Sequence, residues 1–189
     1  MPYLLPSSAA AASLVAASPT SCQCMNLHLL RTAPGISVYY DRCNDWLFIE
    51  WEGELTLRTV QLASLELARC VLERPYARVL NSNLLATSAS WDMSPWLACE
   101  VLPYLRLAGI DHLAWVRPQA LRGQYMVNAL MSRLPGLAVA LFDDMEQAVT
   151  WLTRHRPPAT ASGPPPMHSP TTQAQLAEIT QGMARKLRP

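Results

Sequence analysis

The chain has 189 residues, enough for one domain with a substantial core, and half of these residues are hydrophobic. Its 15 Lys and Arg residues nearly balance its 14 Asp and Glu residues, so it lacks the basic excess of a nucleic-acid-binding protein. No run reaches the roughly 20 apolar residues of a transmembrane helix. We therefore expect neither a nucleic-acid partner nor a membrane span.

Residues 1–24 are rich in small and apolar side chains and contain no Lys or Arg. A secretory signal peptide begins with a positively charged region, so this composition favours a cytoplasmic protein over an exported one. We expect residues 1–24 to be a disordered or wrongly assigned extension, with Met25 as the alternative start.

The cysteines and histidines form no recognisable cofactor site. The five cysteines are odd in number and contain no C-x-x-C pair, and the four histidines have no ligand spacing. Cys70 and Cys99 fall inside helical patterns, which favours buried reduced thiols over disulfides. No metal or other cofactor is predicted.

The regular pattern begins with two strands and a helix. Ile36–Tyr40 and Asp45–Gly53 are rich in β-branched and aromatic residues and are joined by a short turn, which predicts an antiparallel hairpin. The second strand is apolar on both faces and should be covered on both sides. A helix should follow, with Thr56 as its N-cap and an end before Pro75.

Strands and helices then alternate along the chain. Ala77–Ser82 predicts a third strand, and after a serine-rich loop the apolar spacing from Trp96 to Ala108 predicts a second helix that closes at Gly109. Pro103 lies inside that helix and should kink or break it.

The last part of the predicted domain repeats the alternation. His112–Val116 predicts a fourth strand, residues 119–134 a third helix, and Leu137–Phe142 a fifth strand. A capping box at Asp143 starts the clearest helix of the chain, which runs to Arg156.

The predicted order is therefore β-β-α-β-α-β-α-β-α. Strands that alternate with helices indicate right-handed crossovers, so we predict an α/β domain over residues 25–156. Its five-stranded sheet should be mostly parallel, with an antiparallel first hairpin and helices on both faces.

A proline-rich linker over residues 157–170 separates this domain from a tail over residues 171–189. The tail is amphipathic and could be capped by Thr172. Three interpretations remain open: a partner-binding helix, an arm that docks on its own domain or a neighbour, and a frayed segment. The apolar face consists of Leu176, Ile179, Met183 and Leu187.

The element order and four segments resemble the STAS domain superfamily, which includes anti-sigma-factor antagonists and cytoplasmic domains of sulfate transporters. The segments are "LFIEWEGELT", "VLNSN", "WLACEVLPYLRLAGIDHLAWV" and "LFDDMEQAVTWL". The resemblance covers Ile36 to Leu152 and is strongest to the small stand-alone bacterial members. The resemblance implies a STAS-like fold and a regulatory, non-enzymatic function.

In the sigma-regulating members, a serine at a helix N-terminus is phosphorylated by a partner kinase, and that region docks the partner. By position, the resemblance places this region at Thr87, Ser88, Ser90, Trp91 and Asp92. The Asp-Ser-Ser-Gly pattern of those regulators does not occur here. The alternative is that Ser90 or Ser94 simply caps the next helix.

No catalytic signature is present, since P-loop and Rossmann glycine patterns are absent. The leading hypothesis is a regulatory domain that binds a protein partner, or a second copy as a homodimer, through residues 87–95. The alternative is a small-molecule or lipid-binding module with an apolar pocket at the carboxyl ends of the strands. Leu84, Leu85 and Trp91 would line this pocket.

Overall fold

The computed structural model describes residues 25–90, 92–117, 137–156 and 167–188. Its strands are β1 Leu27–Ala33, β2 Ile36–Asp41, β3 Trp46–Leu55, β4 Arg78–Ala89, β5 His112–Val116 and β6 Ala138–Phe142. Its helices are α1 Leu57–Glu73, α2 Met93–Trp96, α3 Leu102–Leu107, α4 Met145–Arg154 and α5 Pro170–Lys186, with a π-helical turn, Leu97–Val101, between α2 and α3. The predicted extension over residues 1–24 and the predicted helix over residues 119–134 lie outside the described residues.

The strands form one sheet in the order β1-β2-β3-β4-β5-β6. The β1–β2 and β2–β3 pairs are antiparallel, and the remaining pairs are parallel. The predicted α/β class, antiparallel hairpin and mostly parallel sheet are therefore confirmed. The predicted number of five strands is wrong, because β1 adds a sixth at the edge. Most of β1 is exposed, so its sequence shows little of the apolar alternation that reveals a strand.

Helices cover both faces of the sheet, as predicted. On one face, α1, α3 and α5 share a large apolar core with residues such as Ile49 and Val79. On the other face, α4 packs over β4, β5 and β6 and buries a smaller core that includes Phe48 and Leu80. Strand β3 contributes to both cores, which explains why its sequence is apolar on both sides.

The predicted cap of α1 is confirmed and that of α4 is off by one residue. Thr56 accepts a hydrogen bond from the backbone N–H of Thr59 at 3.2 Å. At α4 the N-cap is Asp144, which accepts from Gln147 N–H at 2.8 Å, whereas Asp143 pairs with Arg117. Adjacent aspartates offer the same capping chemistry, and only the path of the chain selects between them.

Pro103 breaks the second predicted helix, as expected. The helix starts earlier than predicted, at Met93, and passes through the π-helical turn directly before α3. Proline has no backbone N–H and its ring collides with the carbonyl one turn earlier, so the wider π turn removes a clash. Gly109, with φ +87°, ends the helix as predicted.

The C-terminal helix α5 packs on its own domain, against α1 and α3. Leu176, Met183 and Leu187 are buried in the larger core. Its cap is Ser169, which accepts from Thr172 N–H at 3.1 Å, so the predicted cap at Thr172 is wrong. The structure thus favours the docked-arm interpretation of the tail over the frayed one.

Arg78 begins β4 and is buried, with 1% of its surface exposed. Its guanidinium donates to the carbonyl of Leu152 at 2.9 Å and to the carbonyl of Asn44. It also lies 5.3 Å from the centre of the Trp46 ring. One buried cation therefore joins the central strand to the last turn of α4 and to the β2–β3 turn.

Replacing Leu176 with Ala should lower the free energy of unfolding by about 2–5 kcal/mol, because the side chain is fully buried between α5 and the domain. Urea denaturation followed by circular dichroism measures the change. The matched control is Glu178→Ala on the exposed face of α5, which should change stability by less than about 0.5 kcal/mol. Equal stability of the two variants would show that α5 does not dock in solution.

Candidate functional site

The candidate site lies where β4 extends beyond its neighbour β5. The β4–β5 pairing stops at Ser82, opposite Val116, whereas β4 continues beside β3 as far as Ala89, opposite Leu55. We call residues 52–55 of β3 and 84–89 of β4 the β3–β4 ribbon. Within the described residues, no strand pairs with the outer edge of this ribbon.

The predicted serine-rich loop is wrong in its first half, because Thr87 and Ser88 lie in β4. Both side chains are exposed, and Ser88 is opposite Glu54 in the ribbon. Neither residue stands at a helix N-terminus, which is where the resemblance to sigma regulators placed them. The stretch was misread because serine and threonine are polar at every position, so no alternation marks them as a strand.

The register explains how so long a strand fits beside β3. The β3–β4 pairing shifts between Glu50 and Glu52 and again between Gly53 and Glu54. Each shift inserts an additional residue into β4, as in a β-bulge, and one inserted residue is Thr87. Bulges increase local twist and redirect side chains, and they are common next to binding sites.

Ser90 and Asp92 follow the ribbon and lead into α2. The backbone N–H of Ser90 donates to the carbonyl of Leu55 at 2.9 Å, and the Ser90 hydroxyl donates to the Asp92 carboxylate. Asp92 is the N-cap of α2 by position, without a side-chain capping bond. The predicted cap at Ser90 or Ser94 is therefore wrong among the described residues.

Acidic side chains occur at regular intervals in the ribbon and next to it. Glu50, Glu52 and Glu54 occur at alternate positions of β3, and Glu52 and Glu54 are exposed, as is Asp92. The sequence has no Lys or Arg over residues 43–57 or 79–105. The segments that build the ribbon therefore carry negative charge and contain no arginine of their own to neutralise a phosphate.

The structure places two of the three residues predicted to line an apolar pocket. Leu84 is half-buried and packs against the smaller core, whereas Leu85 is 52% exposed on the ribbon. Trp91 lies outside the described residues. Leu85 is thus an apolar group on an open surface with acidic neighbours, which suits contact with another molecule better than a closed cavity.

Trp51, Asn81 and Trp115 form a row of buried polar groups across β3, β4 and β5, just before the ribbon begins. The sequence did not reveal this row. The indole N–H of Trp51 donates to Asn81 Oδ1 at 2.8 Å, and Asn81 is opposite Trp115 in the register. Asn81 Nδ2 and Trp115 Nε1 are buried donors without a partner in the described structure. An asparagine at the end of an apolar run is the sequence signal that might have pointed here.

Asn83 fixes the point at which the ribbon leaves the sheet. Its side-chain amide donates to the carbonyl of Val116, the last residue of β5, at 3.1 Å. The last carbonyl of β5 thus accepts from a side chain of β4, where further strand pairing would have supplied a backbone N–H. As far as the structure describes the chain, the unpaired edge of β4 begins directly after it.

The described residues offer little for catalysis. Burial raises the pKa of the Cys70 thiol to about 11, so this sulfur is not ionised at neutral pH. Cys99, expected to be buried, is exposed, as is Cys43. Throughout the described ranges, no three His, Cys, Asp or Glu residues are grouped as metal ligands would be.

An aromatic cluster lies at the amino-terminal ends of the parallel strands, opposite the ribbon. The rings of His112 and His155 are 4.8 Å apart, and the Trp151 ring is 4.4 Å from that of His155. Burial, the neighbouring His155 and Arg78 lower the pKa of His112, and Asp111 opposes them. This cluster packs the start of β5 against the end of α4, and we interpret it as a structural contact.

No family model matches the chain, and no curated protein does. Among solved structures, the chain is similar to an uncharacterized protein of the DUF3478 family with a SpoIIAA-like fold from Shewanella loihica PV-4. The two are 16% identical, the match covers 68% of this chain and 93% of the other, and the TM-score is 0.42.

None of the helices in the described part of the chain has the length and hydrophobicity needed to traverse a bilayer.

Removing the indole N–H of Trp51 should cost more than removing that of Trp115. Trp51→Phe leaves the buried Asn81 oxygen without its donor, whereas Trp115→Phe removes a donor that has no partner. Because both substitutions lose the same volume, we expect Trp51→Phe to be less stable by about 1–3 kcal/mol. Urea unfolding of the two variants measures this difference, and equal stabilities would contradict the bond.

The lowered pKa of His112 should make stability depend on pH. The native state favours neutral His112, so its contribution is present above about pH 6.5 and is lost as the pH falls through the native pKa. The wild type should therefore lose more stability than His112→Gln between pH 7.5 and 5.5. Urea midpoints at both values test this. His28→Gln, on the exposed edge strand β1, is the control and should follow the wild type.

Proposed function

We propose that this protein is a non-enzymatic interaction domain that binds a protein partner through the β3–β4 ribbon and the adjoining residues up to Pro95. One observation carries the proposal: β4 continues past the end of β5, so its outer backbone edge is unpaired within the described structure. An open strand edge is a template for an added strand, and main-chain hydrogen bonds along it supply affinity.

The chemistry of the ribbon defines the partner as an extended basic segment. Glu52 and Glu54 lie on β3, one strand inward from the unpaired edge of β4, and the flanking stretches of the chain contain no compensating Lys or Arg. Complementary charge speeds the encounter of the two molecules and fixes the register of the bound segment. The exposed Leu85, which is opposite Glu52, offers an apolar contact. A segment with Lys or Arg at alternate positions around one apolar residue satisfies both features.

Phosphorylation of Thr87, Ser88 or Ser90 is part of this proposal, but it would act differently from phosphorylation at a helix N-terminus in the sigma regulators. A phosphate on Ser88 would stand opposite Glu54 in the ribbon, away from any helix N-terminus. It would add negative charge to an acidic surface and increase the attraction for a basic partner. Regulation would then act on affinity and leave the fold of the loop unchanged.

A second candidate function is supported by the donors of Asn81 and Trp115, which have no partner among the described residues. A small molecule with carbonyl or carboxylate oxygens could accept from both, since the two residues are adjacent in the register. This ligand would be more polar than the lipid-like molecule expected from Leu84, Leu85 and Trp91. Native mass spectrometry of protein purified gently from its host distinguishes this function, because it requires a stoichiometric small-molecule mass.

Peptide selection tests the main proposal. Random peptides displayed on phage are selected on the full-length wild-type protein, and the enriched peptides are synthesised and titrated by fluorescence anisotropy. We expect enrichment of Lys and Arg and an affinity that falls at least about tenfold, or 1.4 kcal/mol, in Leu85→Lys and in Glu54→Lys. Ser88→Glu should bind the same peptides more tightly.

The matched control is Met167→Lys, an equivalent substitution at another exposed apolar residue. It should bind the selected peptides as the wild type does. Peptides without basic enrichment, or binding that survives both ribbon substitutions, would show that the ribbon is not the docking surface.

A further inference from the structure

The C-terminal helix α5 occupies a groove between α1 and α3 that needs an occupant. Leu176 and Met183 of α5 are almost completely buried there, and Leu187 follows in the next turn. The helix has no extensive contact with the described sheet. Its removal would expose the apolar sides of both the helix and the groove, and a helix of 17 residues is marginal in water by itself.

Helices α1 and α5 satisfy each other's end groups. His168 Nε2, next to the start of α5, lies 2.6 Å from the carbonyl of Val71 in the last turns of α1. At the other end, Arg58 donates to the carbonyl of Leu187 at 2.9 Å. These bonds place the helices antiparallel, and they complete backbone groups that neither helix can satisfy alone.

A buried hydroxyl pair makes the groove selective for the sequence of α5. The Tyr104 hydroxyl donates to the carbonyl of Ala68 and lies 2.9 Å from the Thr180 hydroxyl. A helix with an apolar residue in place of Thr180 would leave this polar contact incomplete. The groove therefore fits α5 in one register, and the partner that best reproduces this fit is another α5.

The connection to α5 permits it to come from another chain. Residues 157–166 join α4 to α5 and include five prolines. Ten residues of chain can span at most about 33–36 Å by covalent geometry alone. Moreover, α4 lies on the sheet face opposite to α1, so the contacts of α5 do not depend on contacts of the helix that precedes it.

We propose that the α1–α3 groove accepts α5 from a second copy of this chain, so that two copies exchange their C-terminal helices in a two-fold dimer. Each interface formed between chains is the same as the one within a chain, so exchange costs mainly association entropy. A short tether gives an effective concentration on the order of millimolar. The dimer should therefore accumulate at hundreds of micromolar, a range set by the same estimate.

A charge-exchange experiment tests this directly. Lys186 of α5 forms an ion pair with Glu100 of the π-helical turn and lies 5.7 Å from the ring centre of Trp96. Lys186→Glu and Glu100→Lys each place like charges together within one chain. When the two variants are mixed and exchange α5, both interfaces of the mixed dimer carry opposite charges.

The two purified full-length variants, labelled by mass, are mixed at about 0.5 mM, incubated, and examined by native mass spectrometry. We expect mixed dimers to exceed the statistical proportion by about 5- to 30-fold, since two exposed ion pairs distinguish mixed from unmixed dimers. A chain with both substitutions restores the pair internally and is the control. Mixed with wild type, it should form unmixed dimers preferentially.

Circular dichroism first verifies that each variant is folded, which we expect because both side chains are partly exposed. Dimers in statistical proportion would overturn the proposal, because association would then not involve α5. Monomers alone at this concentration would overturn it as well, because the groove would then retain its own helix.

Discussion

The structure depends on the parallel pairing of β4 with β3, which continues beyond the point where the pairing of β4 with β5 ends. Buried Arg78 fixes the start of β4 through carbonyls of α4 and the β2–β3 turn, and Asn83 closes the end of β5 against it. Between these points β4 is central and covered on both faces. Beyond them the same strand continues as the β3–β4 ribbon, so one pairing provides both the centre of the core and the exposed surface.

Polar groups set the register of this pairing. Trp51 of β3 donates to Asn81 of the neighbouring strand β4. A slip of one residue in either strand would break that bond, because it would move the side chain of that strand to the opposite face. Apolar packing alone would tolerate several alignments, whereas a buried indole and a buried amide tolerate few. The donors left over in this row, Asn81 Nδ2 and Trp115 Nε1, add polar atoms to the interior of the sheet close to the ribbon.

Charge and capping connect the two proposals to the fold. The ribbon is acidic because basic residues are absent from the stretches that build it, whereas the groove for α5 is held at its ends by Arg58, His168 and Lys186. Lys186 contacts Trp96 and Glu100, which follow the ribbon in the chain, so the end of α5 lies against the helical segment that leaves the candidate site. An exchange of α5 would bring two ribbons into one assembly.

The sequence by itself determined the order of elements, the antiparallel hairpin, the mostly parallel sheet, the break at Pro103 and the amphipathic tail, because apolar periodicity, proline and glycine act locally. Tertiary structure decided what depends on distant partners. Strand β1 forms because an exposed segment of the chain pairs with β2 and contacts α1. Thr87 and Ser88 are extended because this part of the chain pairs with β3. Asp144 caps α4 where Asp143 was expected, because Arg117 occupies Asp143. Alternation marks a strand only when one of its faces is buried, so the pattern misses the exposed strand β1 and the exposed end of β4, and the end of β4 carries the candidate site.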